Sequence, residues 1–208
     1  MSEKVTGKRV LAFIIDMVII SFVVNIFSNI KLLNPYVDKY NETSNELFTY
    51  VIQNGYTDLI SKSEKVEKYI YDLSYYGIYL SIINLIVVFL YFVCFQYFNK
   101  GKTLGKSIFN IKIISNDNKK LKFKQILIRS IIVNSIFTSL LSIIMIIVFK
   151  DNNYNTYTSL IEMLDMGLIF LCFGFMLYRE DGRGLHDLIS NTKVVSNDYE
   201  INKKKKEK

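Results

Sequence analysis

RVLAFIIDMVIISFVVNIFSNI, residues Arg9 to Ile30, decides the fold. From Val10 to Ile30 it is an apolar run of 21 residues, and at about 1.5 Å per residue that length crosses a hydrocarbon core of about 30 Å. One full charge, Asp16, lies inside it. A carboxylate at a helix centre costs about 2.5–3.5 kcal/mol on insertion scales. Against it stand 14 Leu, Ile, Val and Phe residues, together worth roughly −4 to −8 kcal/mol. Insertion wins, and Asp16 is carried into the bilayer. An acid kept inside a span at that cost marks a candidate functional site. Arg9 lies seven residues earlier, on the same helical face and about 10 Å away along the axis.

The remaining apolar residues fall into three further blocks. The sequence predicts an all-α integral membrane protein with four transmembrane helices, at residues 10–30, 77–98, 126–149 and 160–178. An outer loop, 31–75, is expected to be partly helical, and a small β-hairpin is expected on the cytoplasmic side. Residues 1–195 form one membrane domain, and the lysine-rich segment 196–208 reads as a disordered tail at the membrane surface. The basic flank before the first run resembles a signal peptide. The run is too long for an h-region and no small-residue cleavage site follows, so it reads as a retained span.

The formal net charge of +7 would suggest nucleic acid in a soluble protein. Here its distribution argues for topology instead. Lys4, Lys8 and Arg9 precede the first span, eight lysines lie between Asn99 and Gln125, and Arg179, Arg183, Lys193 and the lysine cluster follow the last span. Positive residues mark cytoplasmic loops, so both termini and the middle loop are expected in the cytoplasm of a cell membrane protein. That orientation requires an even number of spans, in agreement with four. No nucleic-acid partner is expected.

Several stretches are weighed against simpler readings. Cys94 and Cys172 fall within spans and read as small apolar fillers, without a metal site. In the outer loop, Ser44 is expected to cap a helix over Asn45 to Asn54 that stops at Gly55, with a second helix between Thr57 and Tyr71. Tyr69, Tyr71, Tyr75, Tyr76 and Tyr79 suit an interfacial aromatic belt. GKTLGKSIFNIKI, Gly101 to Ile113, imitates a phosphate-binding loop. Its glycines are three residues apart instead of four and it follows a membrane span, so nucleotide binding is rejected. Phe109 to Phe123 alternates around the polar turn at Asn116 to Lys119 and reads as the hairpin, with lysines suited to anionic lipid headgroups.

In the third span Arg129 is expected to snorkel to the cytoplasmic end. Ser130, Asn134 and Thr138 form one polar stripe, and Ser135, Ser139 and Ser142 a second. Stripes of this kind face other helices, and a water-lined path is the sharper alternative. In the fourth span Glu162 reads as interfacial. Asp165 either guards an outer entrance for cations or shares that interface. Gly167 and Gly174 are expected to allow close helix contact. The last motif, RGLHDLISNTKVV, Arg183 to Val195, carries the chain's single histidine, His186, beside Asp187, and Thr192 to Val195 has strand character that could add to the hairpin.

Together, RVLAFIID, GKTLGKSIFNIKI and RGLHDLISNTKVV resemble the RDD family of small membrane proteins, over about Lys8 to Val195. The family is named for an arginine and two aspartates. The resemblance implies that Arg9 is the arginine, Asp16 the first aspartate and Asp187 the second. It also implies a role in transport, with ion–proton exchange proposed for some members. A long outer loop and four spans are modest departures from the family's minimal core.

Two functions follow as expectations. In one, the protein transports a cation, a proton or a small solute, with Asp16 binding, Arg9 tuning it, and Asp187 with His186 at the inner mouth; a homo-oligomer or a membrane partner would complete the path. In the other, Arg9, Asp16 and Asp187 form a structural ion-pair cluster in a membrane scaffold. An enzyme is not expected: one histidine and no nucleophile–base spacing leave no catalytic residue to name, and no cofactor or metal is implied.

Overall fold

The computed structural model describes residues 5–56, 63–117, 119–149 and 153–197. The expected helix at Thr57–Tyr71 and the 196–208 tail fall partly outside these residues. Among the described residues the helices are α1 (Thr6–Ser28), α2 (Val37–Asn54), α3 (Glu64–Tyr76), α4 (Ile78–Phe98), α5 (Leu104–Ile108), α6 (Phe123–Val133), α7 (Ile136–Val148), α8 (Asn153–Tyr178) and α9 (Leu185–Ile189). The strands are β1 (Ile111–Ser115) and β2 (Thr192–Ser196). The chain is a multi-pass membrane protein. Three helices, α1, α4 and α8, are long and apolar enough to cross a bilayer unbroken.

The expected third span is broken. Helices α6 and α7 pass the same test only as a pair, bent by 61°. The break falls at Asn134 and Ser135, where Ser135 adopts φ 52°, a left-handed conformation uncommon outside glycine. The two polar stripes therefore do not run along one continuous helix. The fourth span begins earlier than expected, at Asn153. Within its first turns the Thr158 and Ser159 hydroxyls are satisfied by donating back to the carbonyls of Tyr154 and Asn155, at 2.9 and 2.7 Å.

The chain divides into two compact units. One comprises residues 23–86 and 138–164 and includes α2 and α3, which pack on each other. Helix α2 starts at Val37 and runs through Ser44, so Ser44 is not a cap; Gly55, at φ 78°, ends the helix as expected. Tyr36 meets Tyr75, Tyr76 and Tyr79 with ring centroids 5.5–6.0 Å apart, and Tyr71 stacks on Tyr75. Four of the expected belt tyrosines thus gather around Tyr36 and Tyr75 as a ring cluster, while Tyr69 meets Tyr50 instead. Asn155 donates to the Glu67 carbonyl at 2.9 Å and ties α8 to α3.

The other unit comprises residues 1–22, 87–137 and 165–208. Its small sheet pairs β1 with β2 antiparallel, with Ile111 opposite Ser196, Ile113 opposite Val194 and Ser115 opposite Thr192. Ile111, Ile113 and Ser115 point inward and their neighbours outward, the period-two alternation of a half-buried strand. The two strands are there, but the partner of β1 comes from the tail motif, about 80 residues away in sequence, and not from residues 119–123. The physical reason lies at Gln125. Its side-chain oxygen accepts from Lys122 N at 3.0 Å and starts α6, and its amide nitrogen donates to Ser115 Oγ and the Asn191 carbonyl. Of the residues that would have continued a hairpin, Phe123 opens the helix and Lys122 caps it in an extended conformation, so no second strand forms there. Gly101, at φ 84°, makes the turn out of α4 beside the Ile113 carbonyl, leaving no room for a Cβ.

Candidate functional site

Asp16 lies near the middle of α1 and is 1% exposed. Its Oδ1 accepts from the Tyr91 hydroxyl at 2.6 Å and from Gly105 N at 2.8 Å, and its Oδ2 accepts from Thr103 Oγ1 at 2.6 Å. The two hydroxyls relay further donors. Leu104 N donates to the Tyr91 oxygen and Lys106 N to Thr103 Oγ1. Through three direct bonds and two relayed ones, Asp16 satisfies the first-turn N–H groups of α5, which have no partner inside their own helix. The GKTLGKS segment therefore does hold an anion, and that anion is a side chain of the same molecule. Gly105 is what lets α5 approach. A Cβ there would meet the Ala12 carbonyl oxygen at 2.2 Å and Asp16 Oδ1 at 2.8 Å. Tyr91 lies in a π-helical turn, Leu90–Phe95, inside α4; such turns occur often at functional sites.

Arg9 and Asp16 form no ion pair among the described residues. Arg9 turns instead to the tail motif. It donates to the Gly182 carbonyl at 2.6 Å, to Asp187 Oδ2 at 2.5 Å and to His186 Nε2 at 3.1 Å. Asp187 is fully buried. Besides Arg9 it accepts from Gly184 N at 3.0 Å, from Thr192 Oγ1 at 3.3 Å and from the Arg129 guanidinium, its second ion-pair partner. Arg129, expected to snorkel, is 7% exposed and points inward. Arg9 only donates, so the His186 Nε2 facing it is the unprotonated nitrogen, and the proton of the neutral ring is on Nδ1. Burial, with Arg129 and Arg9 nearby, holds the His186 pKa far below its usual range. Nδ1 is buried and has no hydrogen-bond partner among the described residues.

Beside these bonded carboxylates lies a cavity of about 260 Å³. Its polar wall is Arg9, Asp16, Gln96, Lys106, Arg129, Ser130, Asn134 and His186; its apolar wall includes Phe13, Phe92, Ile169, Phe173 and Met176. Ser130 donates to the Phe92 carbonyl at 3.1 Å, joining α6 to α4. The Lys106 ammonium lies 5.9 Å from the Phe92 ring centroid. With the Gln96 amide oriented to satisfy both its ends, it is 2.5 Å from the Gln96 oxygen. Burial and the Arg129 charge lower the Lys106 pKa to about 7, against an opposing pull from Asp16. Asn134 Oδ1 is buried without a partner among the described residues.

Three of the expected site residues, Arg9, His186 and Asp187, thus meet directly, and Asp16 belongs to the adjoining network. Asp165 stands outside both: it accepts from Ser135 Oγ at 2.6 Å across the break in the third span. Glu162 is exposed. Gly167 and Gly174 have nothing within 4 Å of a built Cβ, so the helix contact expected of them is not made within the described residues. Arg129, Tyr91, Thr103, Gly105 and Lys106 went unrecognised as site residues. For Arg129 the signal was present, since a cation among apolar residues carries the same cost that singled out Asp16. Cys94 and Cys172 are free thiols.

The family model described as the RDD family matches residues 5–191. The chain belongs to the RDD family. No curated protein and no solved structure matches it.

Proposed function

With membership of the RDD family as the premise, we propose that this chain moves a small ion or solute across the cell membrane through the cavity beside its two buried aspartates. The observation that carries the reading is that cavity: about 260 Å³, walled by charged and amide groups on one side and by apolar side chains on the other. Ligand sites combine an apolar lining with a few converging polar groups in this way. The lysine distribution supports an orientation with both termini and the 99–125 loop in the cytoplasm, which puts the cavity in the inner half of the bilayer. Cytoplasmic lysines then face anionic headgroups. With few spans to enclose a route, a second copy or a membrane partner completes it. Binding and passage are favoured over catalysis because the one histidine ring is already engaged by Arg9.

The bonding of the aspartates changes their roles in this reading. Asp16 has three direct donors and Asp187 has four, two of them arginines. Loading a cation on either would break bonds worth about 1.5–3 kcal/mol each for charged partners. Asp16 stands in the cavity wall and Asp187 behind it, and both serve as frame because their oxygens are already taken. The same observation favours a second reading, in which the bonded frame is the whole purpose and the protein is a scaffold.

Val133→Trp separates the two. Val133 lines the cavity and belongs to neither carboxylate network, so the indole fills the space and leaves the frame intact. In proteoliposomes reporting flux of protons, alkali cations and small anions, this variant is expected to lose at least tenfold of the wild-type flux while eluting and melting as wild type does. Wild-type flux no greater than that of protein-free liposomes, for every ion tried, would leave the scaffold reading in place.

A further inference from the structure

We propose that the cavity takes a monovalent amphiphilic anion, with its acidic head on the Lys106 ammonium and its hydrocarbon part against Phe13, Phe92, Ile169 and Phe173. The inference rests on the cavity reading above and names its ligand class.

The charge balance at the site is the first argument. Arg9, Lys106 and Arg129 are its cations, and Asp16 and Asp187 its carboxylates. Asp187 is bonded to both arginines. Asp16 is held by Tyr91, Thr103 and Gly105. One positive charge is left over, and Lys106 is the cation with no carboxylate within ion-pair distance among the described residues. Its nearest polar neighbour is a neutral amide, Gln96. A half-buried ammonium facing an amide in a cavity is short of a counter-ion. The site therefore suits an anion, whereas a metal cation would meet three positive groups.

The second argument is the opposite wall. Phe13, Ile169 and Phe173 line the cavity and are also 36%, 45% and 42% exposed on the surface of spanning helices. The apolar side of the cavity thus continues to the surface that meets hydrocarbon. A ligand with a head and a tail matches both walls; a bare inorganic anion matches one. The volume lies just below the roughly 300–1,000 Å³ of drug-sized sites, so the part enclosed is small. The acidic head belongs either to a soluble short-chain carboxylate or to an anionic lipid entering from the bilayer.

A third observation gives the binding a pH signature. The charged and titratable groups around the Lys106 head are Arg9 and Asp16 on α1, Tyr91 on α4, Arg129 on α6, Cys172 on α8, and neutral His186 with Asp187 on α9. With its pKa near 7, Lys106 is only partly charged at neutral pH. An anion favours the charged form, so binding takes up a proton. Affinity is full below pH 7 and falls about tenfold per pH unit above it.

The test uses the full chain in phosphatidylcholine nanodiscs, titrated calorimetrically with hexanoate, acetate and hexylammonium. Hexanoate is expected to bind at pH 6.5, acetate at least about tenfold more weakly for want of a tail, and hexylammonium not measurably. Lys106→Gln should weaken hexanoate at least tenfold. Lys106→Arg should keep it and abolish the fall above pH 7, which also controls for folding. Native mass spectrometry with phosphatidylglycerol added gives the source of the head: retention by wild type and loss in Lys106→Gln assigns it to the bilayer, and hexanoate binding alone assigns it to solution. Equal binding of hexanoate by wild type and Lys106→Gln, or hexylammonium binding as tightly as hexanoate, overturns the proposal. So does failure of every anion to bind. If that failure comes while Val133→Trp still lowers flux, only the ligand class falls and the cavity reading stands.

Discussion

Replacing Asp187 with asparagine should be among the most damaging isosteric changes in this molecule. The side chain keeps its shape, but the carboxylate between Arg9 and Arg129 disappears. An amide nitrogen then faces a guanidinium, Arg9 or Arg129, that can only donate. Asp187 is fully buried and both guanidiniums are nearly so, so water cannot replace the lost charge. Removing one partner of a buried pair costs about 3–5 kcal/mol. Arg129→Met alone is milder, about 1–3 kcal/mol, because Asp187 keeps Arg9, Gly184 N and Thr192. The double variant removes a stranded charge along with its partner, and should recover at least about 1 kcal/mol relative to the sum of the singles. Titration with sodium dodecyl sulfate in mixed micelles, followed by circular dichroism, measures all three. Asp187→Asn within about 0.5 kcal/mol of wild type, or a coupling of zero between the two positions, would refute the account of this residue as the tie between α1, α6 and the tail motif.

Two further outcomes follow from the same geometry. Gly105→Ala places a methyl 2.2 Å from the Ala12 carbonyl oxygen and 2.8 Å from Asp16 Oδ1; overpacking of this kind costs about 1–3 kcal/mol, and folded yield should drop. Gly167→Ala, with nothing within 4 Å, should leave yield unchanged in the same measurement. His186 is held neutral when folded, so its folded pKa lies below the unfolded value of about 6.5. The unfolded chain binds the extra proton; stability is therefore unaffected above pH 6.5 and declines by up to about 1.4 kcal/mol per pH unit below it. His186→Gln, which keeps an acceptor for Arg9, should flatten that decline between pH 6.5 and 5.

The spans were legible because hydropathy is a local property and the bilayer sets their length. Asp16 was legible as well, since it stands out against apolar neighbours; Lys106, set among polar residues, had no such signal. The pairing of the charges was not legible. Arg9 and Asp16 share a helical face, and that proximity along one helix suggested a pair. In the fold their partners come from 75 to 178 residues away. No periodicity carries that information. The sheet was legible in its strands and not in its closure: Ile111–Ser115 and Thr192–Val195 both read as strand, but the two pair directly with each other, without the nearer partner that the turn at Asn116–Lys119 suggested. The GKTLGKS stretch, whose glycine spacing departs from a phosphate loop, still has first-turn N–H groups that need an acceptor. Asp16, 87 residues earlier than Thr103 and not paired with Arg9, supplies it.

This pairing changes what mutations of the family's named residues can reveal. Asp16 and Asp187 are bonded on both oxygens, so replacing either removes helix–helix ties before it removes any ligand contact. A loss of transport in Asp16→Asn or Asp187→Asn therefore follows from a scaffold and from a transporter alike. Lys106 is different. Its head makes no ion pair among the described residues, and its one amide partner is retained by arginine. Neutralising it relieves an uncompensated charge in a partly apolar cavity, so the folded state should hold or gain stability. A residue whose loss leaves stability intact and removes ligand is the signature of a binding group. Measured in parallel on one preparation, stability and binding should move together for the two aspartates and apart for Lys106. If Lys106→Gln instead loses stability in proportion to binding, the lysine belongs to the frame with the aspartates, and the cavity has no dedicated ligand group.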